Sequence, residues 1–313
     1  MDNLTHSLAG WALGQAGLKT QSRKGLAALI LGANMPDIDV FLGWVPWEPL
    51  AMHRGFTHSL VGGVVVMPPI LAGLLSLLDR WQVSQGVTFK SGLQMRFGWL
   101  LALCYIGALS HPLLDVLTTY SVQLLSPFSN AWFHSDGLFI IDLWIWLLLG
   151  CSIAFSKWRE KRGRAWRRAP QIAIAIGCAY IALNLVISNR AYAAVHKWAG
   201  DRRAEAIFAS PPPFYSWRRG LVWRQQDCYR RSAYDPLAGL APVGDCEPAN
   251  MDDPLVREAI SRSETLQKFL RWSILPQARV ERSRCSAKVT IGDARYGSRG
   301  RSQLGRETMI RTC

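Results

Sequence analysis

Long apolar stretches alternate with short polar or basic ones through the first 190 residues, and the pattern then stops. Near-uninterrupted apolar runs occupy residues 61–78, 97–116, 138–155 and 171–188. Each approaches the roughly 20 residues needed to cross about 30 Å of hydrocarbon. Two shorter segments, Leu4–Leu18 and Gly25–Met35, precede them. Each is short for a lone span, and the two suit a helical hairpin packed against the rest. The pattern predicts a mostly α protein: a polytopic membrane helix bundle of about four to six segments over residues 1–190. Buried core helices of a large soluble protein are a poorer account, because Arg-rich loops separate the runs.

Residues 191–313 read differently, as a basic soluble α+β domain with a flexible tail. "LVWRQQDCYRRSAYD" holds two short β-type runs around a polar turn, which predicts a hairpin. "AKVTIGDARYG" predicts a strand that turns at Gly292–Asp293. Between them "DPLVREAISRSETLQKFLRWSIL" is helix-like, with apolar residues at 255, 256, 260, 266, 269 and 270. "SPPPF" at 210–214 reads as a stiff linker, and "RYGSRGRSQLGR" as a mobile tail.

Composition fits this uneven pattern. Half of the residues are hydrophobic, yet mean hydropathy is only +0.08. The net charge of +14 points to topology and not to nucleic acid, because its densest block, "SKWREKRGRAWRRAP" at 156–170, joins two apolar runs. Lys19, Arg23 and Lys24 lie in one turn, and Arg80, Lys90 and Arg96 in another. With the 156–170 block these turns share one side, which the positive-inside rule makes cytoplasmic. The opposite, periplasmic side receives the N-terminus, residues 35–60, residues 117–137 and everything after about 189. The short loops there carry almost no Lys or Arg, Arg54 being the exception. Asp2, Asn3 and His6 stand where a secretory signal would carry its basic region, so no cleavable signal is expected. Cys228, Cys246, Cys285 and Cys313 fall in the exported part, where disulfides form. Four cysteines allow three pairings, and the sequence does not choose among them.

The candidate chemistry gathers on that periplasmic side. His6 opens the first segment, and "MPDID" brings Asp37 and Asp39 to the end of the second. "HRGFTHS" supplies His53 and His58 before the third, and "HPLLD" places His111 and Asp115 in the last turns of the fourth. "FHSDGLFIID" supplies His134, Asp136 and Asp142 before the fifth. Each has an ordinary reading alone, as a cap, a turn or a loop residue. His111 and Asp115 are harder to dismiss: four residues apart, they share a helix face, and ionisable groups at membrane depth are expensive without partners. Imidazole nitrogen and carboxylate oxygen are ligands for Zn²⁺, and carboxylates also suit Mn²⁺ and Mg²⁺. His6, Asp37, Asp39, His53, His58, His111, Asp115, His134 and Asp136 are therefore candidate metal ligands. An open metal position would bring the pKa of a bound water toward about 7. A spare carboxylate, Asp37 or Asp142, would act as general base; Asp142 could also orient a ligating imidazole.

"NLTHSLAG", "MPDID", "HRGFTHS", "HPLLDVLTTY" and "HSDGLFIIDLW" together resemble the bacterial inner-membrane metal-dependent hydrolase family, also described as LexA-binding, inner-membrane-associated hydrolases. The resemblance covers most of residues 1–190, and weaker similarity continues into the tail. The ligand order is also distantly similar to that of zinc-dependent phospholipase C and P1-type nucleases. That similarity implies His6, Asp37 or Asp39, His53 or His58, His111 and Asp115 as ligands. The closing His-x-x-x-Glu of those enzymes is absent, with His134 and Asp136 the nearest substitute.

The expectation is a metal-dependent hydrolase of the bacterial inner membrane, using a divalent metal, Zn²⁺ first, on a phosphoester that is phosphorylated or lipid-linked. Membrane lipids are the expected partners and nucleic acid is not. The alternatives are a non-enzymatic membrane regulator or assembly protein with a structural His/Asp cluster, and an ion relay. For a relay, the later runs offer few polar residues apart from Asn184.

Overall fold

The computed structural model describes residues 1–47, 50, 52–298, 301–302 and 305–311. It divides into two compact units, Met1–Leu185 and Val186–Cys313.

The first unit begins with helices α1 (Asn3–Gln15) and α2 (Gly25–Asn34). Asp2 caps α1 by accepting from the backbone N–H groups of Leu4 and Thr5. Both helices pack with α4 (Phe97–Asp115) around Ala28, Leu29, Leu100, Leu103 and Cys104. Small residues allow an unusually close approach: a Cβ on either Gly10 or Gly107 would lie 2.6 Å from the carbonyl oxygen of Leu29. In an apolar surrounding such contact supplies the packing that the hydrophobic effect does not.

After α2 the chain tightens into a 3₁₀ turn, Met35–Phe41, with Pro36 in its first turn. A second 3₁₀ turn, Phe56–His58, leads into a π-helical segment, Leu60–Val66, which continues as α3 (Met67–Ser84). The unit is completed by α5 (Leu143–Lys161) and by the first part of α6 (Arg168–Ala199), which pack on Met1, Ala12, Leu117 and Leu138.

Among the described residues, three helical stretches are long and apolar enough to cross a membrane: Leu60–Ser84, Phe97–Asp115 and Arg168–Ala199. The run expected at 138–155 is displaced. Its helix starts only at Leu143, where Asp142 accepts from the N–H of Ile145, and it ends among Lys157, Arg159, Glu160 and Lys161. What remains between cap and charges is short for a span. The segments expected at 4–18 and 25–35 are short helices, as their length dictates.

The second unit combines small antiparallel sheets with two helices. Strands β1 (Glu205–Ser210), β2 (Arg219–Gln225), β3 (Cys228–Asp235) and β4 (Gly239–Leu240) lie in that order, and β5 (Glu247–Pro248) also pairs with β3. The β2–β3 hairpin turns through Gln226, whose φ is 56°, with Gln225 opposite Cys228. Strand β7 (Ser286–Asp293) is flanked by β6 (Pro276–Arg282) and β10 (Arg306–Arg311), with a two-residue pair, β8 (Gly297–Ser298) and β9 (Arg301–Ser302), between.

Three expectations change here. The helical stretch is two helices, α7 (Pro254–Arg262) and α8 (Glu264–Trp272), because Ser263 is extended and caps the second through the N–H of Leu266. Gly292–Asp293 is strand and not turn, since Asp293 is fixed as an acceptor described below. The segment read as a mobile tail leads into β10, which pairs with β7 over its full length. Residues 299–300 and 303–304 of that segment lie outside the described residues. Cys228 and Cys246 form a disulfide. Cys285 is also disulfide-bonded, and Cys313 lies outside the described residues.

Candidate metal centre

Four short elements of the first unit bring the His and Asp side chains together. The 3₁₀ turn after α2 supplies Asp37 and Asp39, the turn before the π-helix supplies His58, and the last turns of α4 supply His111 and Asp115. The start of α1 supplies His6. The turn carrying His58 lies directly on the π-helical segment, because Gly62 and Gly63 present no side chain: a Cβ on Gly62 would collide with the carbonyl of Phe56. Irregular helical turns of this kind often sit at functional sites.

Two imidazoles are oriented by their Nδ1 atoms. Nδ1 of His111 lies 2.6 Å from the carbonyl oxygen of Ala33, so Nδ1 carries the hydrogen and Nε2 keeps its lone pair. Nδ1 of His58 lies 3.1 Å from Oδ2 of Asp39. Backbone carbonyls and carboxylates that hold one ring nitrogen leave the other for a metal. The two Nε2 atoms then face the same two carboxylates. His58 Nε2 is 3.2 Å from Asp37 Oδ1 and 3.5 Å from Asp115 Oδ2. His111 Nε2 is 3.7 Å and 3.2 Å from those same atoms.

These four distances have a simple meaning. Metal–ligand bonds of about 2.0–2.2 Å in a tetrahedron require ligand atoms about 3.4 Å apart. Each of the two nitrogens thus lies near that spacing from both oxygens. His6 stacks on His111 at 3.8 Å between ring centroids, and its Nε2 is 3.5 Å from Asp115 Oδ1. Three groups of described residues could hold a metal ion: His6, His111 and Asp115; Asp37, His58 and His111; and Asp39, His53 and His58.

The centre is buried. His6, His58 and His111 are fully covered, and Asp37 is 9% exposed. His53, with its side chain 45% exposed, reaches the surface while its Nδ1 stays 2.9 Å from Asp39 Oδ1. Burial alone would raise the Asp39 carboxyl, but His53 and His58 outweigh it and hold the group well below the usual carboxylate range. Thr57 Oγ1 and the N–H of Arg54 also donate to Asp39 Oδ2.

Both nitrogens of His6, Nε2 of His111, Oδ2 of Asp37 and both oxygens of Asp115 are buried and make no hydrogen bond among the described residues. Burying such atoms without compensation costs several kcal/mol. Asp115 Oδ1 is met by the N-terminal ammonium of Met1, and a cation beside the Nε2 atoms of His58 and His111 would reduce the cost for the others, so the residues present fit a divalent metal.

Arg54 is the principal residue the sequence reading did not place in the site. It has a left-handed backbone, φ 65°, which is strained for a residue with a side chain. Its guanidinium lies 3.3 Å from Asp115 Oδ1, donates to Thr118 Oγ1 at 3.2 Å and stacks over Tyr120. The available signal was its isolation in an otherwise charge-poor side of the bundle.

Three candidates lie apart from these groups. His134 Nδ1 and Asp136 Oδ1 pair at 3.1 Å. Asp142, expected as base or orienting acceptor, accepts from Ile145 N–H and from the Tyr180 hydroxyl at 3.0 Å each. Its carboxylate caps α5.

The family model described as YdjM inner membrane protein matches residues 1–191, which hold every member of the three groups. The Bacillus subtilis (strain 168) protein YfhP, described as uncharacterized, is 23% identical over 96% of this chain and 88% of its own. The Escherichia coli (strain K12) inner membrane protein YbcI is 36% identical over 42% of this chain and 70% of its own. No solved structure gives a significant match.

Proposed function

The chain belongs to the YdjM inner membrane protein family, and from that premise we propose that it is a multi-pass, metal-dependent phosphoester hydrolase whose centre opens to the periplasm. The observation that carries the reading is that His58 Nε2 and His111 Nε2 each lie 3.2–3.7 Å from both Asp37 Oδ1 and Asp115 Oδ2. A mixed nitrogen and oxygen set at this spacing suits Zn²⁺ best, while Mn²⁺ fits less closely.

A divalent ion held there supplies Lewis acidity and a water of lowered pKa. The protein supplies the rest. Asp37, more exposed than Asp39 or Asp115, would help to hold the ion or, left unbound, would take a proton from the attacking water. Asp39 and the carbonyl of Ala33 hold the His58 and His111 rings in the tautomer that binding needs. The Arg54 guanidinium, beside Asp115, supplies the fixed positive charge that recognition of a phosphoryl group requires. Ligand order in the chain, similar to that of phospholipase C-type enzymes, also supports a phosphoester.

The test uses the full chain, loaded with Zn²⁺ and assayed on a chromogenic phosphodiester. Metal-dependent turnover is expected, with Asp37→Asn lowering kcat by about 10²- to 10⁴-fold, the loss typical of a general base. Stoichiometric metal without turnover on any phosphoester would defeat the hydrolase reading.

One observation favours a second reading. His6, His58 and His111 are fully covered, as the ligands of closed structural metal sites are. On that reading the metal only ties α1, α2 and α4 together in a non-enzymatic regulator or assembly protein.

A further inference from the structure

Two segments beside the metal centre expose large apolar side chains, which a surface meant for water does not do. In residues 38–47 Phe41 is 76% and Trp44 81% exposed, and in residues 125–128 Phe128 is 86% exposed. Neither segment contains a Lys or Arg, and its single carboxylate, Asp39, is buried. Contiguous exposed apolar groups of this size mark an interaction surface.

Both segments are tied to the start of the same membrane-crossing stretch, Leu60–Ser84. The N–H of Leu60 donates to the carbonyl of Leu124, next to the exposed Leu125. Trp47 packs on Phe56, whose carbonyl abuts Gly62 in the π-helical turn. From Leu60 the exposed apolar surface runs on along the stretch through Val66, Ile70, Leu74 and Leu77. The protruding rings therefore continue the face that the stretch turns to lipid. Tryptophan and phenylalanine at the end of such a face are the side chains that settle at the level of the headgroups.

We propose that residues 38–47 and 125–128 form an apolar lip that docks into the headgroup layer of the bilayer the chain crosses. His53, the exposed member of the Asp39, His53 and His58 group, then opens onto that layer. Resting on the hydrolase reading, this makes the substrate a phosphoester carried on a membrane lipid.

The test is photo-crosslinking of the full-length protein in vesicles of phosphatidylethanolamine and phosphatidylglycerol. A benzophenone amino acid replaces Trp44, Phe128 or, as the lipid-facing reference, Leu74. Phospholipid adducts at positions 44 and 128 in yield comparable to position 74 are expected. Loss of lipid adducts at both positions, or adducts to protein only, would overturn the proposal whatever the site's chemistry. A second arm compares the variant carrying Phe41→Ser, Trp44→Ser and Phe128→Ser with wild type. Cleavage of a vesicle-borne phosphoester should fall by an order of magnitude or more, with cleavage of a soluble one unchanged. Equal loss on both substrates would overturn the lipid-borne substrate. Crosslinks to lipid without metal-dependent turnover would sink the hydrolase reading and leave the lip standing.

Discussion

Each unit buries a carboxylate beside an arginine, and the two are treated in opposite ways. In the second unit Asp293 accepts from Ser273 Oγ, from the backbone N–H groups of Ile274, Leu275 and Arg295, and from the Arg295 guanidinium. In the first unit Asp115 Oδ1 meets the N-terminal ammonium of Met1 and lies 3.3 Å from Arg54, while its Oδ2 faces the Nε2 atoms of His58 and His111. The first arrangement is complete in itself and holds β7 to the segment after α8. The second is a set of donor atoms arranged around a centre. A carboxylate held wholly by protein donors is structural, and one that turns its second oxygen to two imidazole Nε2 atoms is placed to share a cation with them.

The contrast can be broken most severely at the closed end. Asp293→Ala leaves Arg295 buried without its carboxylate, at a cost of about 3–5 kcal/mol, read as lost hydrogen-exchange protection in β6 and β7 with metal content unchanged. Burial pushes the Asp293 carboxyl up, but the Arg295 charge and the hydrogen bonds prevail, and its pKa is lowered. A lowered carboxyl contributes stability that is complete above its unfolded pKa and is lost as pH falls through the folded value. Protection in β7 should therefore decline only in acid, and an Asp293→Asn variant should lose most of that pH dependence.

At the open end the expected effect comes from the cation. At a free Zn²⁺ concentration of about 100 times Kd, the first unit should gain about 2.7 kcal/mol, measured as a rise in melting temperature that a chelator reverses. A gain in the second unit instead would erase the distinction. Gly62→Ala forces Phe56 away from the π-helical turn, costing about 1–3 kcal/mol as overpacking does. Because His58 rides on that turn, isothermal titration should also show weaker Zn²⁺ binding; unchanged affinity would detach the site from the turn.

The smallest effect separates cap from ligand. Asp142→Ala should cost about 1 kcal/mol, the worth of an N-cap, with metal stoichiometry intact. Loss of metal in this variant would return Asp142 to the centre.

How much of this was legible varies with the physics involved. Helical periodicity and the i, i+4 spacing placed His111 and Asp115 on one face, and three of the four long apolar runs mark helices long and apolar enough to cross a membrane. The Pro and Gly punctuation around "MPDID" and "HRGFTHS" marked turns, but which imidazole nitrogen faced inward depended on the Ala33 carbonyl and on Asp39, which are tertiary matters. Arg54 was hidden for the same reason: its position rests on a left-handed backbone that its local sequence does not demand. For Asp142 the sequence could not separate cap from ligand, because both have the same signature, an acid before an apolar run. In the second unit the break at Ser263 and the strand pairing of β10 depend on distant partners that periodicity does not register.

The central claim, that the His/Asp cluster of the first unit holds a divalent cation, is tested most directly by metal content. Elemental mass spectrometry on detergent-purified wild type, His111→Ala and Asp115→Ala should find stoichiometric Zn²⁺ or Mn²⁺ in the first and its loss in both variants, with helical content preserved. Wild type without metal after reconstitution, or variants that retain it, would contradict the account.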